Sequence, residues 1–197
     1  YRDFPENIRR YQADAEGLGF KGIYLSYETQ WFAEAQPPAP TTILSSRQDH
    51  VKTTFLEQAK NLARLMLQNH GLDVVTFWQG GFQLESGTLS PAYYVYRTLC
   101  TIMDSARPAE VNVQFSGRAG VESYAFQVPD GDLMVALWLP GDSIDVHPGE
   151  STDVVLHNVQ AKRVLGIDTL NGHAQDLKFS IEGEQTVLPG LVVRDYP

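Results

Sequence analysis

Two short, mostly apolar segments of the sequence each end in a side chain that is common in binding and catalytic sites, one a glutamate and the other a tryptophan. Glu28 ends the segment 22–28, and Trp78 ends the segment 73–78. A carboxylate can act as a nucleophile or exchange a proton with a bound molecule. An indole ring offers a flat apolar surface on which another ring can lie. These two residues are therefore the first candidates for a site that holds a ring-shaped substrate and attacks it.

The alternation of side chains along a strand predicts which residues accompany them. If both segments are strands, Tyr24 and Ser26 share one face with Glu28, and Thr76 shares one face with Trp78. This polar set would point away from the covering helices and into the interior of a barrel. Glu28 and Trp78 would then meet at the carboxyl ends of neighbouring parallel strands, where α/β barrels have their active sites.

Helical patterns surround both segments and would position them. Pro5 suits the first turn of a helix, Gly71 closes a second, long helix, and Ser90-Pro91 is an N-cap followed by proline at the first helical position. The order is helix, strand, helix, strand, helix. This order predicts βα units joined by right-handed crossovers.

The pattern changes near Pro108, after which short runs of period two are separated by Gly, Pro, Asp and Asn turns. We therefore expect two domains, 1–108 and 109–197. The second is expected to be an antiparallel β-sandwich. Its strands are predicted near 111–115, 122–128, 133–139, 152–157, 161–168, 175–182, 185–188 and 191–195.

Length and charge exclude several classes of protein. A complete eightfold α/β barrel needs about 250 residues, and this chain has 197. Its 15 Lys and Arg against 24 Asp and Glu give a net charge of −9, which disfavours nucleic acid and anionic membranes as partners. No apolar run is long enough to span a membrane. Secreted and cytoplasmic locations both stay open, with secretion slightly favoured.

No cofactor and no metal are predicted. The five histidines show no His-x-x-x-His or Cys-His spacing, and the glycine pairs match no dinucleotide or P-loop pattern. The single cysteine, Cys100, cannot form an internal disulfide and is expected to be a small core residue of a helix.

The segment 23–31, Ile-Tyr-Leu-Ser-Tyr-Glu-Thr-Gln-Trp, resembles the seventh strand of a retaining clan A glycoside hydrolase, which ends in the nucleophilic glutamate and is often followed by an aromatic residue. Phe77-Trp78 resembles the eighth strand, whose terminal Trp forms the floor of a sugar subsite. A final helix at 90–106 and the C-terminal strands complete a likeness that covers nearly the whole chain. The resemblance implies an α/β plus all-β fold: the C-terminal portion of a (β/α)8 barrel followed by an antiparallel β-sandwich.

The resemblance also implies an enzyme that hydrolyses β-linked oligo- or polysaccharides. In the retaining mechanism one carboxylate attacks the anomeric carbon, and a carboxylic acid roughly 5–5.5 Å away protonates the leaving oxygen. Glu28 would be the nucleophile, and Trp78 and Trp31 would stack on sugar rings. Either Tyr24 or Ser26 would orient the nucleophile or help keep it ionised, and Gln79 would line a subsite.

The acid/base of that family lies on the fourth strand, usually in an Asn-Glu pair, and none of the asparagines here is followed by Glu. We therefore expect the acid/base in a missing N-terminal part of the barrel, on a second chain or on the same longer polypeptide. The isolated chain is expected to be inactive.

Other interpretations remain open. Glu28 would be an ordinary solvated glutamate at a strand end, and Trp78 would fill an interior, if the chain were a non-catalytic carbohydrate-binding or structural β-sandwich module. A binding sandwich needs exposed, coplanar rings. Most candidates alternate with polar residues as core residues do, which favours a structural role for the sandwich; they are Phe115, Tyr124, Phe126, Trp138, Phe179 and Tyr196.

Overall fold

Three helices and eleven strands make up the part of the chain that the structure describes. The computed structural model describes residues 4–20, 26–29, 54–72, 76–79, 82, 86–117 and 120–197. The helices are α1 (Phe4–Gly17), α2 (Phe55–Gly71) and α3 (Pro91–Ile102). The strands are β1 (Ser26–Thr29), β2 (Thr76–Gln79), β3 (Arg107–Ala109), β4 (Val113–Phe115), β5 (Glu122–Gln127), β6 (Leu133–Trp138), β7 (Glu150–His157), β8 (Leu165–Asp168), β9 (His173–Asp176), β10 (Ser180–Glu182) and β11 (Gln185–Val193).

Local signals fix the ends of the two buried helices. At the start of α2, the Thr54 hydroxyl accepts from the Glu57 amide at 3.1 Å, and the Thr54 amide donates to Glu57 Oε2 at 2.9 Å. This reciprocal capping box satisfies two amides that the helix leaves unpaired. At the start of α3, Ser90 is the N-cap and Pro91 follows it. The helix ends predicted at Gly71 and at Ser90-Pro91 are therefore confirmed.

Strands β1 and β2 pair in parallel as a two-stranded sheet. Helix α2 lies between them in the chain, as a crossover connection between parallel strands requires.

The other nine strands form antiparallel sheets. One sheet has the order β10-β11-β7-β4, a second has the order β3-β5-β6, and β8 pairs with β9 as a hairpin. Val135 and Leu137 of β6 pack against the buried Val154 and Leu188, so the two larger sheets share an apolar cluster.

A second cluster joins the helices to the sheet β3-β5-β6. Leu62 and Leu67 of α2 and Val95 of α3 lie fully buried together with Phe126 of β5 and Trp138 of β6. Burying side chains of this size is the main favourable contribution to folding. The core therefore continues across residues 108–109, where we placed the domain boundary; the division into two domains stays a prediction.

The predicted fold class is wrong. A portion of a (β/α)8 barrel is not seen in the described residues, which hold three helices and are mostly β-sheet. The fold is α+β: α2 and α3 pack against antiparallel strands rather than around a many-stranded parallel sheet. The alternation of helix and strand patterns predicts the order of these elements along the chain, but not how they pack together. How many strands join a sheet, and what covers a helix, depends on contacts that are distant in sequence.

Candidate functional site

The β1–β2 pair brings three of the predicted site residues together. Glu28 is the register partner of Trp78, and Thr29 is the partner of Gln79. Neighbouring strands in a sheet lie about 4.8 Å apart. The backbone thus places the candidate nucleophile directly beside the candidate sugar platform, at the last two positions of both strands. Tyr24 and Trp31 lie outside the described residues.

The end of α2 that precedes β2 in the chain is held by contacts with α1 and β5. The helix ends at Gly71, and β2 begins at Thr76. A side-chain amide of α1 secures this end of the helix, because Gln12 Nε2 donates to the Leu72 carbonyl at 2.8 Å. A Cβ at Gly71 would lie 2.4 Å from Cδ1 of Tyr124. Only glycine therefore allows the helix to approach β5 this closely.

A buried ion pair fixes α2 to the C-terminal segment. Lys60 Nζ lies 3.0 Å from Asp195 Oδ1, and each side chain is only 2% exposed. The ammonium also donates to the Ile144 carbonyl at 2.5 Å and lies 5.2 Å from the centre of the Tyr196 ring. The Asp195 carboxylate accepts a further bond from the Ile144 amide at 3.0 Å. Both charges are thus surrounded by partners, which a buried ion pair requires.

One turn further along α2, Arg64 donates to three backbone carbonyls. Its Nε lies 2.7 Å from the Asp195 oxygen, its Nη1 2.6 Å from the Gly141 oxygen, and its Nη2 3.1 Å from the Leu139 oxygen. Burial lowers the pKa of Arg64 from its ordinary value, and the nearby Asp195 acts against that shift. We call Lys60, Arg64 and Asp195 the charged cluster.

The charged cluster is a structural connection rather than a reactive site. Every polar atom named in it is bound within the protein, which leaves the cluster little capacity to bind a substrate. Neither Lys60 nor Arg64 is among the residues predicted from sequence. The available signal was their four-residue spacing, which places both on one side of a helix.

The aromatic residues of the antiparallel sheets do not form a sugar platform. Phe126, Trp138 and Tyr196 are buried, and Phe115, Tyr124 and Phe179 are half-buried. Tyr124 stacks on Trp138 with the ring centres 5.4 Å apart and the planes 3° from parallel. Burial confirms that Trp138 is a core residue, although its cluster includes the helices.

An open cleft of about 610 Å³ lies beside this stack, lined by Arg9, Gly71 and residues 108–113 and 123–125. Burial and the nearby Glu122 raise the pKa of Tyr124, with Arg9 acting in the opposite direction. The lining contains one carboxylate, Glu110, and one phenol, Tyr124, but none of the residues predicted from the sequence to take part in catalysis. We therefore keep the β1–β2 pair as the first candidate and the cleft as the second.

The expectation that Cys100 is a core residue is wrong, because its side chain is exposed. Among the residues that the structure describes, no group of three or more His, Cys, Asp or Glu side chains is placed to hold a metal ion. No helix in the described ranges is both long and apolar enough to cross a membrane. The chain matches no protein-family model and no curated protein.

Proposed function

We propose that this chain supplies the nucleophile and a sugar platform to a retaining glycoside hydrolase that acts on β-linked oligo- or polysaccharides. The observation that supports the proposal is the parallel register that sets Glu28 beside Trp78. The second carboxylate of the mechanism comes from a further polypeptide segment, on a longer chain or on a second chain. The mechanism requires two carboxyl groups on either side of one glycosidic bond, and it does not require a particular fold.

In this proposal Glu28 attacks the anomeric carbon and the leaving oxygen departs, which forms a glycosyl ester on Glu28. Water then cleaves the ester and restores the carboxylate. Trp78 stacks on the C–H face of the pyranose ring and keeps the anomeric carbon within reach. Gln79, the next residue of β2, hydrogen-bonds a sugar hydroxyl.

A substrate with an acidic leaving group tests the nucleophile separately from the acid/base. A dinitrophenolate departs without protonation, so a chain that holds only the nucleophile can still be glycosylated. Suitable reagents are dinitrophenyl 2-deoxy-2-fluoro-β-glycosides, in which fluorine replaces the hydroxyl next to the anomeric carbon. The fluorine slows hydrolysis of the resulting ester, so that the labelled protein accumulates. We would incubate the 197-residue chain, and separately the protein as isolated from its natural source, with the glucoside, xyloside, mannoside and galactoside.

We expect one sugar to be added to the chain and to be found by peptide mass spectrometry on Glu28. The variant Glu28→Gln should stay unmodified, whereas Glu182→Gln, which changes an exposed glutamate of β10, should react like the wild type. The proposal fails if no preparation is labelled, if the label is on another residue, or if Glu28→Gln is labelled equally.

The burial of the sheet aromatics favours a second candidate, a purely structural role for the antiparallel sheets. Phe126 and Trp138 pack in one cluster with residues of α2 and α3, and the charged cluster connects α2 to the C-terminal segment. This role is compatible with the first proposal. It becomes the better description of the whole chain if Glu28 is not labelled.

A further inference from the structure

A group of exposed and half-buried aromatic side chains lies on α3 and on the segment before it. We call it the aromatic surface and define it by Phe82, Tyr93, Tyr94, Tyr96 and Arg97. The Phe82 and Tyr96 rings are 5.0 Å apart between centres, and those of Tyr93 and Tyr94 are 5.6 Å apart. The Arg97 guanidinium lies 5.5 Å from the centre of the Tyr94 ring.

Phe82 packs against the core on one side, whereas the three tyrosines are not part of a core cluster of the described structure. Tyr94 is 41% and Tyr96 is 39% exposed, whereas Ala92, Val95 and Leu99 bury the opposite side of α3. The helical spacing of Ala92, Val95, Tyr96, Leu99 and Met103 predicts that Tyr96 lies on the buried face, and its exposure shows that this prediction is wrong. Single exposed apolar side chains are common on protein surfaces, but adjoining ones mark a place where something binds.

The aromatic surface starts close to the β1–β2 pair. Phe82 follows Gln79, the last residue of β2, by three positions. Three residues of chain span at most about 11 Å. The Ser90 amide donates to the Phe82 carbonyl at 2.8 Å, which attaches this segment to the start of α3. A chain-like ligand seated at Trp78 could therefore extend onto the aromatic surface.

The chemistry of the surface fits a neutral sugar polymer. Tyrosine rings match the C–H faces of pyranoses, and their hydroxyls, with the guanidinium of Arg97, can hydrogen-bond sugar hydroxyls. The net charge of −9 would repel an anionic polysaccharide. We propose that the aromatic surface binds further sugar units of a neutral β-linked polysaccharide; the choice of this ligand class rests on the proposed function.

Affinity electrophoresis tests this proposal. The full chain is run in native gels with and without hydroxyethyl cellulose, neutral xylan or glucomannan. We expect at least one of these polysaccharides to slow the wild type. Tyr94→Ala and Tyr96→Ala should each weaken binding about two- to tenfold, as expected for the loss of one ring contact. Tyr94→Phe keeps the ring and should bind nearly as well as the wild type.

Tyr11→Ala is the matched control. Tyr11 is 53% exposed on α1 and has an arginine, Arg10, at 5.4 Å from its ring centre. The pairing of tyrosine and arginine is thus the same, but on a different helix. The proposal is overturned if no polysaccharide slows the wild type, if the Tyr94 and Tyr96 variants migrate like it, or if Tyr11→Ala loses as much binding.

The same gels separate this proposal from the role of Glu28. Glu28→Gln leaves the aromatic surface unchanged and should still be slowed. Labelling of Glu28 without retardation in the gel would refute only the aromatic surface. Retardation that depends on Tyr94 and Tyr96, without labelling of Glu28, would refute only the nucleophile. Concentration-dependent dimers abolished by Tyr94→Ala, with no retardation, would identify a second copy of this chain as the occupant and overturn the proposal.

Discussion

The contact between α2 and the C-terminal segment and the hairpin β8–β9 each contain one ion pair, and the two pairs differ in surroundings. Lys60 and Asp195 lie 3.0 Å apart and are 2% exposed. Arg163 and Asp176 lie 2.6 Å apart and are 68% exposed. The exposed pair is the shorter one. The distance between the charges therefore does not decide which pair matters more for stability. The decisive difference is how far each pair is shielded from water.

Their neighbours reinforce the difference. Removal of one partner of the buried pair leaves a charge that water cannot reach, whereas either partner of the hairpin pair is already hydrated. Arg163 donates to Asp176 and thereby lowers the pKa of that carboxyl, but both side chains remain largely in contact with water. We infer that α2 and the C-terminal segment depend on their ion pair and that the hairpin does not depend on its own.

The largest expected effect is that of Asp195→Ala. This variant leaves the Lys60 ammonium buried and removes the acceptor of the Ile144 amide. Breaking one side of a buried pair costs about 3–5 kcal/mol. The free energy of unfolding, measured by urea titration, should fall by that amount.

Asp176→Ala is the matched control in the hairpin, and its unfolding midpoint should equal that of the wild type. Equal losses in the two variants would contradict the comparison. So would a loss confined to Asp176→Ala.

A smaller effect is expected for Gly71→Ala, which tests the packing of α2 rather than its charges. The added methyl group would overlap the Tyr124 ring, which is itself stacked on Trp138 and cannot easily move. Overpacking of this kind costs about 1–3 kcal/mol. Gly17→Ala at the end of α1 is the control, because nothing lies within 4 Å of its added methyl group. If thermal unfolding shifts equally in both variants, the close approach at Gly71 is not important for stability.

The smallest expected effect is at high pH. Burial raises the pKa of Tyr124 above its ordinary value of 10.0. Above that pH the unfolded chain loses this proton while the folded protein retains it, so stability falls as pH rises. Tyr124→Phe keeps the ring and removes the ionisation. Its unfolding midpoint should decline less steeply than that of the wild type above pH 10.0, with the midpoints at neutral pH as the reference. Parallel declines would show that Tyr124 does not contribute.

Short-range signals predicted some local elements and missed others. The strands predicted at 185–188 and 191–195 form one strand, β11, whereas the strand predicted at 175–182 is divided between β9 and β10. The sequence Pro129-Asp130-Gly131-Asp132 is typical of a hairpin turn, and Gly131 has the positive φ of 95° that such a turn requires. The strands β5 and β6 on either side of it begin at predicted positions. In the sequence, Ser46 and Asp49 resemble a capping box for the second helix, but they lie outside the described residues; the box seen in the structure is that of Thr54 and Glu57.

For the candidate site, alternation predicted that Glu28 and Trp78 would meet, and the β1–β2 register places them side by side. The aromatic surface was missed because periodicity gives the spacing of a helix face but not the direction in which that face points. Tyr96 and Cys100 fit the apolar stripe of α3 by type, yet both are exposed. The packing of α2 against α3, in a cluster that also holds Phe126 and Trp138, decides which side of α3 is covered.

The sequence by itself determined some local boundaries, such as the end of α2 at Gly71, the start of α3 at Pro91 and the turn between β5 and β6, because caps, turns and alternation act over a few neighbouring residues. The tertiary structure alone decided that these elements form an α+β fold rather than part of a barrel. It also decided that Lys60 and Arg64 are buried against the C-terminal segment. Both outcomes depend on contacts between residues far apart in the chain, and the pattern within one segment does not show which distant residues it will contact.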